Sequence, residues 1–125
     1  MANAQPQHVA YQSFTLPADV DLSAKQYYAM DVNSDGEAVV AGAGSTFVGV
    51  LANKPSAAGA AAEIMFSGVV PMVCGGTVTA AGAVKIDSNG KAVAASSADK
   101  AIGRALSDGA SGTIANILLQ THTVA

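Results

Sequence analysis

Apolar and polar positions alternate along this chain in short runs broken by glycine, the pattern of strands and tight turns. Phe14 and Leu16 alternate with Ser13 and Thr15, and Val9 and Tyr11 keep the same two-residue spacing. Residues 1–17, opened by Gln, Asn, Pro and Ala, therefore read as an extended N-terminal arm that is floppy unless tied down. A strand is predicted over 26–32. Asn33-Ser-Asp-Gly36 then forms a hairpin turn of the type I′ kind, since Asp-Gly supplies positive φ. The return strand is 37–41 and a loop follows at 42–45. A strand over 47–52, a long turn over 53–59 and a closing strand over 61–70 complete the series. Further strands are predicted at 77–86, 91–95, 101–106 and 113–124, around the turn Asp87-Ser-Asn-Gly90 and a loop at 96–100.

The second series repeats the first. Gly36 and Gly90 stand 54 positions apart, and at that spacing Ser34, Ala38, Val39 and Ala41 meet Ser88, Ala92, Val93 and Ala95. Val48-Gly49 meets Ile102-Gly103. With one residue deleted, Gly59 meets Gly112 and Ile64-Met65-Phe66 meets Ile117-Leu118-Leu119. Two copies are too few for a solenoid. They imply one small β domain, a barrel or sandwich, built from pseudo-repeats at about 22–72 and 76–125 within residues 18–125. The repeat also settles the alanine run 57–62 against helix, because its counterpart, Asp108-Gly-Ala-Ser-Gly112, is a turn.

Composition changes this picture in one respect. The 125 residues fit one domain, and only 12% are charged, about half the usual share. Small apolar side chains give thin layers. A weakly charged surface suits a protein covered by partners, although an alanine-rich composition explains it as well. The net charge of −3 and six scattered Lys and Arg residues argue against nucleic acid. The first basic residue is Lys25, so the N-terminus lacks the charged region of a signal peptide. Residues 64–84 are uncharged, but Gly68, Pro71, Gly75, Gly76, Thr77, Thr79 and Gly82 interrupt them, and no membrane span is expected.

Candidate chemistry is sparse. Asp31-x-Asn33-x-Asp35-Gly36 copies the start of a calcium loop, but Gly42 stands where the bidentate carboxylate belongs, and a β-turn accounts for the same residues. Cys74 has no base nearby in sequence and reads as a small core filler. His8 and His122 are too few for a metal site, and Glu37 and Glu63 form no evident acid–base pair. Gly42-Ala-Gly-Ser-Thr-Phe47 fails the dinucleotide pattern at its last position. No catalytic residue, cofactor or metal is assigned. Arg104 stands out: it shares a strand face with Ile102 and Leu106, where its repeat counterpart is Val50. It reads either as an interface anchor or as an edge charge that deters aggregation.

The residues Gly36 to Val40, Val48-Gly49-Val50 and Gly59 leading into Ile64-Met-Phe-Ser-Gly-Val-Val70, with Gly82-x-Val84, Asp87-Ser-Asn-Gly90, Ile102-Gly-Arg-Ala105, Gly112 and Ile117-Leu-Leu119, carry a resemblance. Over about 22–120 the chain resembles the small capsid cement or decoration proteins of tailed bacteriophages. The resemblance implies a β-rich virion protein, made in the host cytoplasm, on the outer capsid surface. It would bridge major capsid protein subunits against internal DNA pressure and form a homotrimer, without catalysis. The Gln-rich arm departs from that pattern. Its apolar positions Val9, Tyr11, Phe14 and Leu16 are the candidate capsid contacts, by addition of a strand to an edge of the capsid protein. A different class remains open: a β module of a phage tail, fibre or adhesin that binds a host glycan, weakened by the lack of Trp and by only three Tyr. A small hydrolase or metalloprotein is the third.

Overall fold

The computed structural model describes residues 9–43 and 47–124. Residues 1–8 of the expected arm, with His8, and residues 44–46 of the expected loop lie outside them. Nine strands are present among the described residues: β1 (Ala10–Pro17), β2 (Ala29–Val32), β3 (Ala38–Val40), β4 (Gly49–Leu51), β5 (Ala61–Val73), β6 (Ala83–Ile86), β7 (Ala92–Ala94), β8 (Lys100–Ala105) and β9 (Ile114–Thr123). All named strand pairs are antiparallel, in the order β3-β2-β4-β5-β9-β8-β6-β7, with β1 on β5. In place of a closed barrel or a two-sheet sandwich, this single sheet curls into a half-barrel, with no helix among the described residues. Its two ends, β3 and β7, do not pair with each other, so the barrel stays open.

Strand β5 organises the molecule. Met65 pairs with Ser13 of β1 and with Val50 of β4, so these strands flank β5 on opposite edges. Val69 pairs with Ala10 and with Leu118, which puts β9 beyond β4 on the edge opposite β1. The arm expected over 1–17 is therefore, from Ala10 to Pro17, a strand of the chain's own sheet. The reason is the open edge of β5, whose N–H and C=O groups need partners once Ala62 and Ile64 are buried on the core face. A shift between Gln12 and Ser13 leaves Phe66 unpaired in this register, a bulge in β5.

Two local differences have clear causes. The strands expected from 26 and 77 begin only at Ala29 and Ala83, because Tyr27 (φ +70°) and Ala81 (φ +73°) take the left-handed conformation and break the extension. The turns are not type I′, since Gly36 and Gly90 (both φ +80°) are the only residues in them with positive φ. Each is a three-residue loop: Asn33 N–H donates to the Glu37 carbonyl at 3.0 Å, and Asp87 N–H to the Lys91 carbonyl at 2.9 Å. The Asn33 Oδ1 accepts the Asp35 and Glu37 amides, and Asp87 Oδ1 accepts those of Asn89 and Lys91. The side-chain acceptor at the turn's first position thus favours this geometry.

Matching hydrogen bonds recur along the chain. Ala18 N–H donates to Ala60 and Cys74 N–H to Thr113. Leu22 donates to Pro55 and Val78 to Gly109. Tyr27 donates to Leu51 and Ala81 to Ala105. The parallel bridge Ala18–Ala38 has a like in Cys74–Ala92. One buried cluster holds Ala18, Leu22, Met30, Ala38, Leu51, Ala62 and Ile64. Cys74, Val78, Val84, Ala92, Ala105, Ala115 and Ile117 belong to a second cluster, which also takes in Ala29, Ala41, Val50 and Met65. The N-terminal half, up to the middle of β5, thus lends its outer face to the core of the C-terminal half. Two backbone bonds seal that contact: Val73 N–H to the Tyr27 carbonyl at 3.1 Å and Ala29 N–H to the Gly90 carbonyl at 2.8 Å.

Candidate interaction surfaces

The candidate residues of β1 do not form one stripe. Tyr11 and Ser13 both reach Glu63, with hydroxyl-to-Oε2 distances of 3.4 and 2.9 Å. Partial burial and the neighbouring Glu63 carboxylate push the Tyr11 hydroxyl above its ordinary pKa. Leu16 lies on the other face, against the buried cluster of Ala62 and Ile64. Phe14 packs on Phe66, with ring centroids 5.7 Å apart and planes tilted by 51°. Val9 precedes the strand and is exposed, as is Tyr11. The three-residue step from Tyr11 to Phe14 thus puts the two pairs on opposite faces of the pleat.

Arg104 is exposed on β8, opposite Ala83 of β6. Its Nε and Nη2 donate to the Ala81 carbonyl at 3.2 and 2.9 Å. The matching carbonyl in the N-terminal half, that of Tyr27, accepts the backbone N–H of Val73 instead. The guanidinium therefore occupies the role that a neighbouring strand fills 54 positions earlier.

The same positions differ in burial between the halves in two places. At one, which we call the mouth of the N-terminal half, Phe14 (38% exposed), Val32 (41%) and Phe66 (45%) are exposed and Leu16 is only half-buried. Their counterparts Val70, Met72, Ile86 and Leu119 are all in or packed against the second cluster. At the other, Ala29, Val50, Ala52 and Met65 pack into that cluster. Their counterparts Ala83, Arg104, Leu106 and Leu118 are half-buried or exposed on the outer face of the C-terminal half. Sequence reasoning singled out Phe14, Leu16 and Arg104 among these. The missing signal was available by comparing each repeat position for burial demand, but only a structure says which copy's face is covered.

Other chemistry is accounted for locally. Cys74 is fully buried beside Gly109, and this burial pushes its thiol pKa up, partly offset by hydrogen bonding with Thr113. An open cleft of about 950 Å³ is lined by Phe47, Lys85, Asp99, Ile102 and His122, among others. Inside it Lys85 Nζ and Asp99 Oδ2 are 3.0 Å apart. His122 Nδ1 lies 2.8 Å from the Gln120 carbonyl. Among the described residues no three His, Cys, Asp or Glu side chains cluster as a metal requires, and no helix is long and apolar enough to cross a membrane.

The curled sheet has a likeness among solved structures. The head fiber gp8.5 N base of bacteriophage phi29 superposes with a TM-score of 0.65 at 16% sequence identity, over 93% of this chain and 99% of that one. At that identity the match shows a shared fold. No curated protein matches the chain. The family model described as phage cement protein matches residues 12–120, nearly the whole molecule, and the chain belongs to that family. The expected cement family is thus found, and the match takes in most of β1. Both the family and the structural neighbour are structural phage proteins.

Proposed function

We propose that this protein is a non-enzymatic cement protein that binds the outer surface of a tailed-phage capsid and holds neighbouring major capsid protein subunits together. The observation that carries the reading is family membership across residues 12–120. It acts as a homotrimer after synthesis in the host cytoplasm. Its β domain is a duplication whose pseudo-repeats run from about 22 to 72 and 76 to 125. The matching hydrogen bonds and paired bridges support that duplication. The residues that contact the capsid or a neighbouring subunit are drawn from the N-terminal region and β8: Val9, Tyr11, Phe14, Leu16 and Arg104. Exposed aromatic side chains on a lightly charged surface suit such a contact. Since the β5-facing edge of β1 is already paired, strand addition to the capsid protein would use its outer edge or the residues before it. Many weak copies on a lattice then bind by avidity.

Co-sedimentation with undecorated, expanded heads of the cognate phage tests this reading. Saturable binding at a fixed ratio to capsid subunits is the expected result. A folded protein that stays in the supernatant at every head concentration would refute it.

A further inference from the structure

We propose that copies of this chain associate head to tail: the outer face of the C-terminal half of one copy, around Arg104, covers the mouth of the N-terminal half of the next. This rests on the homotrimer reading above and names the surfaces that build it.

The argument is an internal precedent. Within one chain, the outer face of the N-terminal half (Ala29, Val50, Ala52, Met65) already packs into the core cluster of the C-terminal half. That contact buries Gly90, which lies against Val40 and Ala41, and places Lys91 Nζ 5.7 Å from the Tyr28 ring centroid. Among the described residues, one surface of each kind is left uncovered. The unused outer face carries Ala83, Arg104, Leu106 and Leu118. The unused mouth carries Phe14, Val32 and Phe66, with the turn at Gly36, whose added Cβ would meet nothing within 4 Å. The two halves share backbone hydrogen bonds at matching positions, so the unused pair can meet in the same backbone arrangement as the internal pair, with its own side chains at the contact.

Charge supports the same partner. Glu37 stands where the C-terminal half has Lys91, beside the unused mouth, and Arg104 stands on the unused outer face. The contact would bring these opposite charges to one interface. Because the two surfaces differ, the interface is heterologous, and it makes a closed ring if the rotation closes. The joint between copies differs from the internal one. Inside the chain β5 runs through it unbroken, whereas between copies the end of β9 and the start of β1 meet there and must pass beside each other.

Two variants at exposed apolar positions test the proposal with little risk to the fold: Leu106→Glu on the outer face and Val32→Glu on the mouth. Sedimentation equilibrium in the absence of capsids reads the mass against the 12.3 kDa monomer. The wild-type chain is expected to be oligomeric. Each variant alone should lose self-association by roughly tenfold or more, from burying a charge in an apolar contact. An equimolar mixture should recover a dimer, since each variant keeps the surface that the other lacks. Circular dichroism melts report the fold separately. A monomeric wild type, full-size variants, or a mixture that stays monomeric would each overturn the proposal. Head binding by co-sedimentation is a separate readout, so a failure of self-association is distinguishable from a failure of the cement reading.

Discussion

Val50 and Arg104 occupy matching positions on matching strands, yet one is fully buried and the other exposed. The same contrast separates Ala29 from Ala83, Met65 from Leu118 and Gly90 from Gly36. Strand geometry does not explain it, since the flanking hydrogen bonds match in both halves. The neighbour does. The outer face of the N-terminal half is the floor of the C-terminal core, while the outer face of the C-terminal half has no such cover among the described residues. An arginine is compatible with the second place and not with the first, because a buried unpaired charge is strongly unfavourable.

This comparison can be broken most severely at β1. Removing residues 1–17 strips the partner from one edge of β5 and uncovers Ala62 and Ile64. The truncated chain is therefore expected to lose cooperative unfolding or to aggregate, as followed by thermal denaturation, whereas an arm separate from the fold would leave the transition unchanged.

Exchanging the residues at the paired positions comes next. Val50→Arg should destabilise by on the order of 4 kcal/mol or more, a large part of the stability of a domain this size. Arg104→Val should stay within about 1 kcal/mol, because water can reach the exposed Ala81 carbonyl that the guanidinium leaves. Urea titrations of the two variants give both values. Equal losses would show that the two faces are equally covered.

The two turn glycines give a smaller and sharper test. Gly36→Ala meets only the strain of positive φ, about 1–2 kcal/mol. Gly90→Ala adds a Cβ placed 2.7 Å from Val40 Cγ1 and 3.0 Å from the Ala41 carbonyl, which should raise the loss to about 2–4 kcal/mol. Chemical denaturation of the pair measures the difference, which reports the contact between halves rather than the turn itself.

The smallest effect is electrostatic. The Ser96 amide, and then Lys85, hold the Asp99 carboxyl below its ordinary pKa. The carboxyl's folded value is lowered, so its stabilisation is present above the unfolded value and fades as pH falls through the folded one. Asp99→Asn should flatten the acid side of a stability–pH curve, with a minor change near neutrality because the group is at the surface. The matching position of the Lys85 partner in the N-terminal half is Asp31, so no equivalent ion pair can form there.

Much of the fold was legible in the chain because its signals are local. Period-two alternation marks β1, although its assignment to a separate arm missed that β5 offers an edge to pair with. Asn33 and Asp87 announce their turns, although the turn type depended on which residue took positive φ. The start of β2 and β6 was misjudged because nothing in Tyr27 or Ala81 advertises a left-handed backbone, which the following strand pairing imposes. The proposed contact residues were only partly legible. Arg104 breaks its repeat pattern and stands out, whereas Val32, Phe66 and Leu106 carry no signal that sets them apart from other apolar strand positions.

The sequence by itself determined the strand content, the turns, the spacing between like segments and the family, since these depend on residues near one another in the chain. The tertiary structure alone decided that β1 joins the sheet, that the barrel stays open, and which of two matching faces is buried. Burial is a property of what lies opposite a residue, and along this chain what lies opposite is set by the asymmetric packing of one half on the other.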